Sequence, residues 1–185
     1  MSAPVLPAGE LIPAGPPGAL LVRQAAAGDR DALTRMFERC TPATRYHRFH
    51  GPVQAIPRSY LAEALSGSPF HHALVGCPYI PASPAAYAGE TVALASCRLV
   101  AEGAAELGLL IEDGWQRRGL GTRLVHDLVT HAARSGVREV EAQLLAEQAW
   151  IGGLLRPYGS GRVHSARDGV LTVTVRLDPC GIAGM

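Results

Sequence analysis

The stretch EDGWQRRGLGTRL, Glu112–Leu124, places two arginines and two glycines where a strand-like apolar run, LGLLIED, gives way to a helix-like pattern. Beyond it Leu120, Leu124, Leu128 and Ala132 recur every fourth position, with Val125 and Val129 beside them. Arg123, Asp127 and Arg134 fall off that stripe, which predicts an amphipathic helix. Gly136 stands where a left-handed C-cap belongs. The first amides of such a helix have no intrahelical partner and present a partial positive charge. Gly119 and Gly121 remove side chains that would hold an anion off the backbone, and Arg117 and Arg118 add charge-assisted donors, so the stretch reads as a seat for a pyrophosphate. The third glycine of a dinucleotide fingerprint is replaced by Leu124, no acidic residue is evident after the next strand, and GK[ST] is missing. Neither the Rossmann motif nor a P-loop fits.

Pattern reading extends outward from this turn. ALLVRQA predicts a first strand, and Gly28 and Asp29 precede a helix over Ala32–Cys40 with Asp29 as N-cap. Thr41 and Pro42 interrupt that helix. A second helix, from about Pro57 to Leu65, carries Tyr60, Leu61, Ala64 and Leu65 at helical spacing. HHALVG, Thr91–Val100 and Glu106–Ile111 predict three strands in an antiparallel meander, with AEGA as the turn between the last two. VREVEAQLL predicts the strand after the amphipathic helix, then a helix from about Glu147 to Arg156 stopped by Pro157 and Gly159, and GVLTVTVRL a final strand. Residues 1–18, rich in Pro, Gly and Ala, read as a flexible N-terminal arm before one domain over 19–180. CPYIPASPAAYAGE, Cys77–Glu90, exceeds the usual hairpin connection of about two to five residues. It reads either as a lid or as a tolerated surface insertion.

Composition narrows the function. All 17 basic residues are arginine, which excludes a lysine Schiff base and a phosphate-binding P-loop lysine. A formal net charge of +1 without long like-charge blocks argues against nucleic acid and anionic membrane as partners. Cys40, Cys77, Cys97 and Cys180 are far apart with no C-x-x-C pair, fitting neither a zinc site nor a disulfide framework, and are expected to be reduced thiols. No run of about eighteen apolar residues occurs, and the N-terminus lacks a basic and then apolar leader, so a cytoplasmic location is expected. His71 and His72 would face opposite sides of a strand, and His126 and His131 miss the i, i+4 spacing of helical ligands, so no metal is expected. There is no GxSxG elbow. Cys97 is open to two roles, a nucleophile or a small apolar filler.

Gln116, Arg117, Arg118, Gly119, Leu120 and Gly121 spell Q-x-x-G-x-G between strand and helix, which resembles the acyl-CoA-binding motif of the GNAT superfamily of N-acetyltransferases. The resemblance runs, in element order, over residues 20–177. TPATRYHRFHGP, Thr41–Pro52, followed by HHALVG, is similar to the opening of the branch that includes bacterial protein lysine acetyltransferases; the alternative has Phe49 in the core and Arg45 and Arg48 solvated. From Arg35 to Arg58 five arginines face Glu38 alone, an excess of +4 that would attract an acidic partner or CoA phosphates. The resemblance implies an α/β (α+β) fold with a mixed, mostly antiparallel twisted sheet flanked by helices, and acetyl-CoA as co-substrate. It implies that Gln116, Arg117, Arg118, Gly119, Leu120, Gly121 and Thr122 surround the diphosphate. The pantetheine arm would lie between Leu109, Leu110 and Ile111 on one strand and Gln143 on the next. Gln148, where the family has asparagine in A-E-N, would touch that arm.

Acetyl transfer to an amine needs the neutral amine, yet a lysine amine has a pKa of about 10.4. Glu106, in AAELGLLI, stands at the position that resembles the family's general base, and Glu102, Glu112 and Glu147 are weaker alternatives. A backbone N–H in Leu109–Ile111 would stabilise the thioester oxygen. The family's tyrosine acid corresponds to Leu155; Tyr158 is the nearest substitute, or else a packed aromatic. The acceptor would be a primary amine, on a protein lysine or a small molecule, and loops 41–60 and 77–90 would select it. Two other readings are a non-catalytic acyl-CoA-binding regulatory module, motivated by Leu155 and Gln148, and a nucleotide-binding domain. Edge strands near the C-terminus leave a homodimer open.

Overall fold

A computed structural model describes residues 10–13, 19–79, 90–165 and 169–178. The lid question at 80–89 and Cys180 lie outside the described residues. In chain order the elements are β1 (Glu10–Pro13), β2 (Ala19–Gln24), α1 (Arg30–Arg39), α2 (Pro42–Phe49), α3 (Arg58–Ala64), β3 (His71–Tyr79), β4 (Ala93–Ala101) and β5 (Ala104–Ile111). Then follow α4 (Leu120–Arg134), β6 (Glu139–Leu145), a 3-10 run (Ala146–Tyr158), β7 (Gly159–Ser165) and β8 (Val170–Leu177). Among the described residues one sheet of eight strands runs in the order β1-β2-β3-β4-β5-β6-β8-β7. Its pairs are antiparallel except β5 with β6, so the sheet is mixed and mostly antiparallel, as the family resemblance implies.

Two cores lie on opposite faces of this sheet. Leu120, Leu124, Leu128, Val129 and Ala132 of α4 pack on Ala95, Ala105, Val140 and Val175. Leu33, Met36, Phe37 and Leu61 of α1 and α3 pack on Ala73, Val75, Leu94 and Leu110. Each fully buried large apolar side chain contributes about 1.5–3 kcal/mol. Strand alternation sends Leu107, Leu109 and Ile111 toward α4 and Glu106, Gly108 and Leu110 toward α1–α3.

Several local expectations change. Glu10–Pro13, inside the expected arm, pairs from Glu10↔Val22 to Pro13↔Ala19; an edge position tolerates proline because no central ladder needs its N–H. Asp29 does not cap α1 with its side chain. Its carboxylate accepts from Ala26 N at 2.8 Å and from Arg23 at 2.6 and 2.8 Å, tying the turn to β2. Thr41 and Pro42 start a helix as well as ending one: Thr41 Oγ1 accepts from Thr44 N at 3.2 Å, and proline fills the first turn of α2, where an N–H has no partner to lose. The expected helix over Glu147–Arg156 is a 3-10 run, because Gly152 and Gly153 lower α propensity. A Cβ at Gly152 would also stand 3.0 Å from Val173 Cγ2. Cys40, Cys77 and Cys97 are buried free thiols. Burial pushes Cys97 up to about 12, which makes it a filler and not a nucleophile.

The feature that positions the site is the one parallel pair. Its ladder runs from Ala104↔Glu139 to Leu107↔Ala142 and stops, although β5 continues to Ile111 beside β4 and β6 to Leu145 beside β8. The two strands therefore part, leaving an opening between them.

Candidate active site

At one end of the opening, β5 passes through a 3-10 turn, Asp113–Trp115, into α4. Gly119 is the N-cap of α4 at φ 79°, with nothing within 4 Å of an added Cβ, so conformation and not space requires glycine there. A Cβ at Gly121 would touch Leu109 Cδ2 at 3.4 Å and Ile111 Cδ1 at 3.6 Å, so the first turn of α4 lies directly on β5. Arg117, at φ 57°, and Thr122 are exposed, and the Arg118 guanidinium lies 5.4 Å over the Trp115 ring. The Leu120 side chain is in the core, so only its backbone is offered to a ligand.

The inner side of this turn is fixed by side chains. Gln116 Nε2 donates to Ile111 O at 2.9 Å and to Thr44 Oγ1 at 3.2 Å, holding the loop to the end of β5 and to α2. The Asp113 carboxylate accepts from Thr41 N at 2.9 Å and from the Thr41 and Thr44 hydroxyls at 2.8 Å each. Burial raises the Asp113 pKa, but the bonds from the Thr41 amide and from the Thr44 and Thr41 hydroxyls outweigh it and bring the value below the ordinary one. Arg39 donates to Glu112 at 3.0 Å and to Thr91 O at 2.8 Å.

Along the opening, Glu112 N donates to Val92 O on the β4 side at 2.9 Å. By alternation Leu109 and Ile111 turn their main-chain groups the other way, into the opening, while Leu110 turns its own toward β4. The Ile111 carbonyl is taken by Gln116, and the Leu109 N–H faces the space where the β6 ladder has ended. Gln143 is exposed on the opposite wall, and Gln148 is half-buried in the first turn of the 3-10 run.

The other end is built of side chains on the α1–α3 face. The registers place His71, Arg98, Glu106, Glu141 and Thr174 in one row across five strands. Arg98 Nη2 donates to Glu106 Oε2 at 2.6 Å. Glu141 stands beside Glu106, without an ion pair among the described residues. Above them, Arg48 of α2 lies over Gly108, where an added Cβ would overlap Arg48 Nη2, with Cζ at 2.6 Å. His50 is the left-handed C-cap of α2 at φ 53°, and its ring Nε2 is buried without a hydrogen-bond partner among the described residues. Burial and then the Arg48 charge lower its pKa, against the opposing charge of Glu106.

The alternatives to Glu106 sit elsewhere: Glu102 in the β4–β5 turn, Glu112 with Arg39, and Glu147 with His47 Nε2 at 3.0 Å. Tyr158 is not brought to Glu106. It is buried in the α4-side core, its hydroxyl 3.3 Å from His126 Nδ1, and burial and then Asp127 raise its pKa. Arg98, Glu141 and His50 were not picked out by sequence reasoning. The alternation of VREVEAQLL was a usable signal for Glu141, since it puts Glu139, Glu141 and Gln143 on one face. Among the described residues no three His, Cys, Asp or Glu side chains gather as a metal site requires.

A sequence model of the acetyltransferase (GNAT) family matches residues 31–150. No curated protein sequence matches the chain. Among solved structures, the GNAT domain of Streptomyces lividans PAT superposes with a TM-score of 0.74 at 20% identity, covering 91% of this chain and 97% of that one. The putative acetyltransferase yncA from Salmonella typhimurium, determined with its cofactor acetyl-CoA, has a TM-score of 0.62 at 16% identity over 86% and 94% of the two chains. A cAMP-binding acyltransferase from Mycobacterium smegmatis has a TM-score of 0.59 at 21% identity; 92% of this chain corresponds to 48% of that one. At these identities the likeness is one of fold.

Proposed function

Because the chain belongs to the acetyltransferase (GNAT) family, we propose that it transfers an acetyl group from acetyl-CoA to a primary amine in a direct ternary complex. The supporting observation is the opening between β5 and β6, with an amide-rich helix start at one end and a carboxylate at the other. The α4 amides, with Arg117 and Arg118, hold the diphosphate. The pantetheine arm lies along the free main-chain edges of Leu109 and Gln143, as an added strand would. The Leu109 N–H meets the thioester oxygen as it gains charge.

Glu106 takes a proton from the incoming ammonium, directly or through one water, and Arg98 keeps its carboxylate oriented. The neutral nitrogen attacks the carbonyl carbon: a C–N bond forms, the C–S bond breaks, and the electron pair leaves on sulfur. The nitrogen's second proton neutralises the thiolate. A thiol of pKa about 8.5 departs without a dedicated acid, so the position of Tyr158 does not block the reaction.

The likeness to the S. lividans PAT domain supports a protein lysine as acceptor, and the polar end of the opening, with Arg98, Glu106 and Glu141 side by side, supports a small amine. Free thiol released from acetyl-CoA across a panel of amines and lysine peptides tests the reading. Amine-dependent release is expected, and binding of acetyl-CoA without release for any amine would favour the sensing module.

A further inference from the structure

Two arginines three positions apart on α2 are treated differently. Arg45 lies 4.8 Å over Phe37 and donates to Cys40 O at 3.0 Å and Glu38 O at 2.8 Å. Arg48 lies against the Phe49–Tyr60 ring pair, its Cζ 5.0 Å from the Phe49 centroid and 4.9 Å from that of Tyr60, but no carboxylate or carbonyl accepts from it among the described residues, and its Nε is buried without a partner. A desolvated guanidinium N–H without an acceptor is unfavourable. The fold nevertheless provides for this placement: Gly108 sits in the interior of β5, where glycine weakens a strand, and any side chain there would displace Arg48. Glu106 does not serve as its partner, being held by Arg98.

An anion is therefore wanted at this point. The phosphates of CoA belong at the start of α4, and the thioester end carries no negative charge, so the anion belongs to the acceptor. Glu106 and Gly108 are two residues apart on one face of β5, about 7 Å. Glu141 adds a second carboxylate beside Glu106. A cation at one end and two carboxylates at the other complement a molecule carrying a carboxylate and an amine close together.

We propose that the acceptor is a small aminocarboxylate, its carboxylate on Arg48 in the forked geometry a guanidinium favours and its amine between Glu106 and Glu141. This rests on the acyl-transfer reading. It makes Arg48 a residue that selects substrate.

The test compares matched pairs of amines, each an amino acid and its decarboxylated counterpart: lysine and cadaverine, leucine and 3-methylbutylamine, phenylalanine and phenylethylamine. Thiol release is read with wild type, Arg48→Gln and Arg48→Lys, alongside melting curves with acetyl-CoA. In wild type, kcat/KM should favour the carboxylate-bearing member of at least one pair by about 10- to 100-fold, the range of one charged hydrogen bond. Arg48→Gln should abolish the preference by raising KM for that member only, Arg48→Lys should restore part of it, and both variants should keep the acetyl-CoA melting shift. Equal use of both members of every pair, turnover of lysine peptides alone, or a uniform fall in kcat for all amines would overturn the proposal. That last outcome would assign Arg48 to the thioester oxygen. Loss of the acetyl-CoA shift in wild type would instead overturn the acyl-transfer reading beneath it.

Discussion

The opening between β5 and β6 has two ends made of different materials. At the α4 end the groups offered to a ligand are main-chain amides, arranged by Gly119 and Gly121 and backed by Gln116 and Asp113. At the α2 end they are side chains, Arg48, Arg98, Glu106 and Glu141, brought from α2, β4, β5 and β6. A backbone site depends on conformation and tolerates changes of side chain. A side-chain site depends on functional groups and tolerates little change in their identity. One end suits a constant portion of the substrate pair and the other the portion that distinguishes one acceptor from another.

The sharpest test of this division is Glu106→Gln. Turnover should fall about 10²- to 10⁴-fold, the usual contribution of a general base, while acetyl-CoA affinity measured by calorimetry stays within error. Equal losses in both would mean that the two ends are not separable. Gly119→Val is the converse. A branched residue forced to positive φ costs about 1–3 kcal/mol, so acetyl-CoA should bind roughly 5- to 150-fold more weakly. Acceptor KM, measured at saturating acetyl-CoA, should be unchanged.

Gly108→Ala probes the acceptor end by steric means. The added Cβ must displace the Arg48 guanidinium, an overpacking that costs about 1–3 kcal/mol and lowers Tm by some 2–4 °C per kcal/mol. A change confined to Tm and acceptor kinetics, with acetyl-CoA affinity intact, fits the division.

The smallest effect belongs to pH. On the α4 side, His72 and His131 stack with ring centroids 3.7 Å apart. Burial, then the charges of His131 and His71, lower His72 to about 4, and burial and Arg134 lower His131. With its folded pKa depressed, His72 is neutral in the fold and takes up a proton on unfolding. Its contribution to stability is complete above about 6.5 and is lost as pH falls toward about 4. Tm of His72→Asn should therefore decline less than that of wild type between pH 7 and pH 5. Parallel curves would place the acid-sensitive packing elsewhere.

The same contrast explains what could be read before the fold was known. The α4 end is local in sequence: strand, Q-x-x-G-x-G and apolar stripe lie within 27 residues, Leu107 to Ala133, and each obeys a short-range rule. The acceptor end joins positions from 48 to 141, and only strand register sets Arg98, Glu106 and Glu141 side by side. Of these, Glu106 was reached through the family resemblance, and Glu141 had only the alternation of VREVEAQLL to mark it. β1 and β7 escaped because ELIP is short and GSGRVHS has little β-branched content, so their pairing reflects the neighbouring strand more than their own propensity. The 3-10 run was read as an α-helix because sequence spacing does not reveal how tightly Gly152 must approach Val173.

The central claim is that the turn from Gln116 to Thr122 holds the diphosphate of an acyl-CoA on the main-chain amides of α4. Titration calorimetry of the full chain with acetyl-CoA, and in parallel with acetyl-pantetheine, which lacks the diphosphate, tests it most directly. Saturable heat with acetyl-CoA and binding at least about tenfold weaker with acetyl-pantetheine, a difference of about 1.4 kcal/mol, is the predicted result. Equal affinity for the two, or no heat with acetyl-CoA at millimolar concentration, would contradict it.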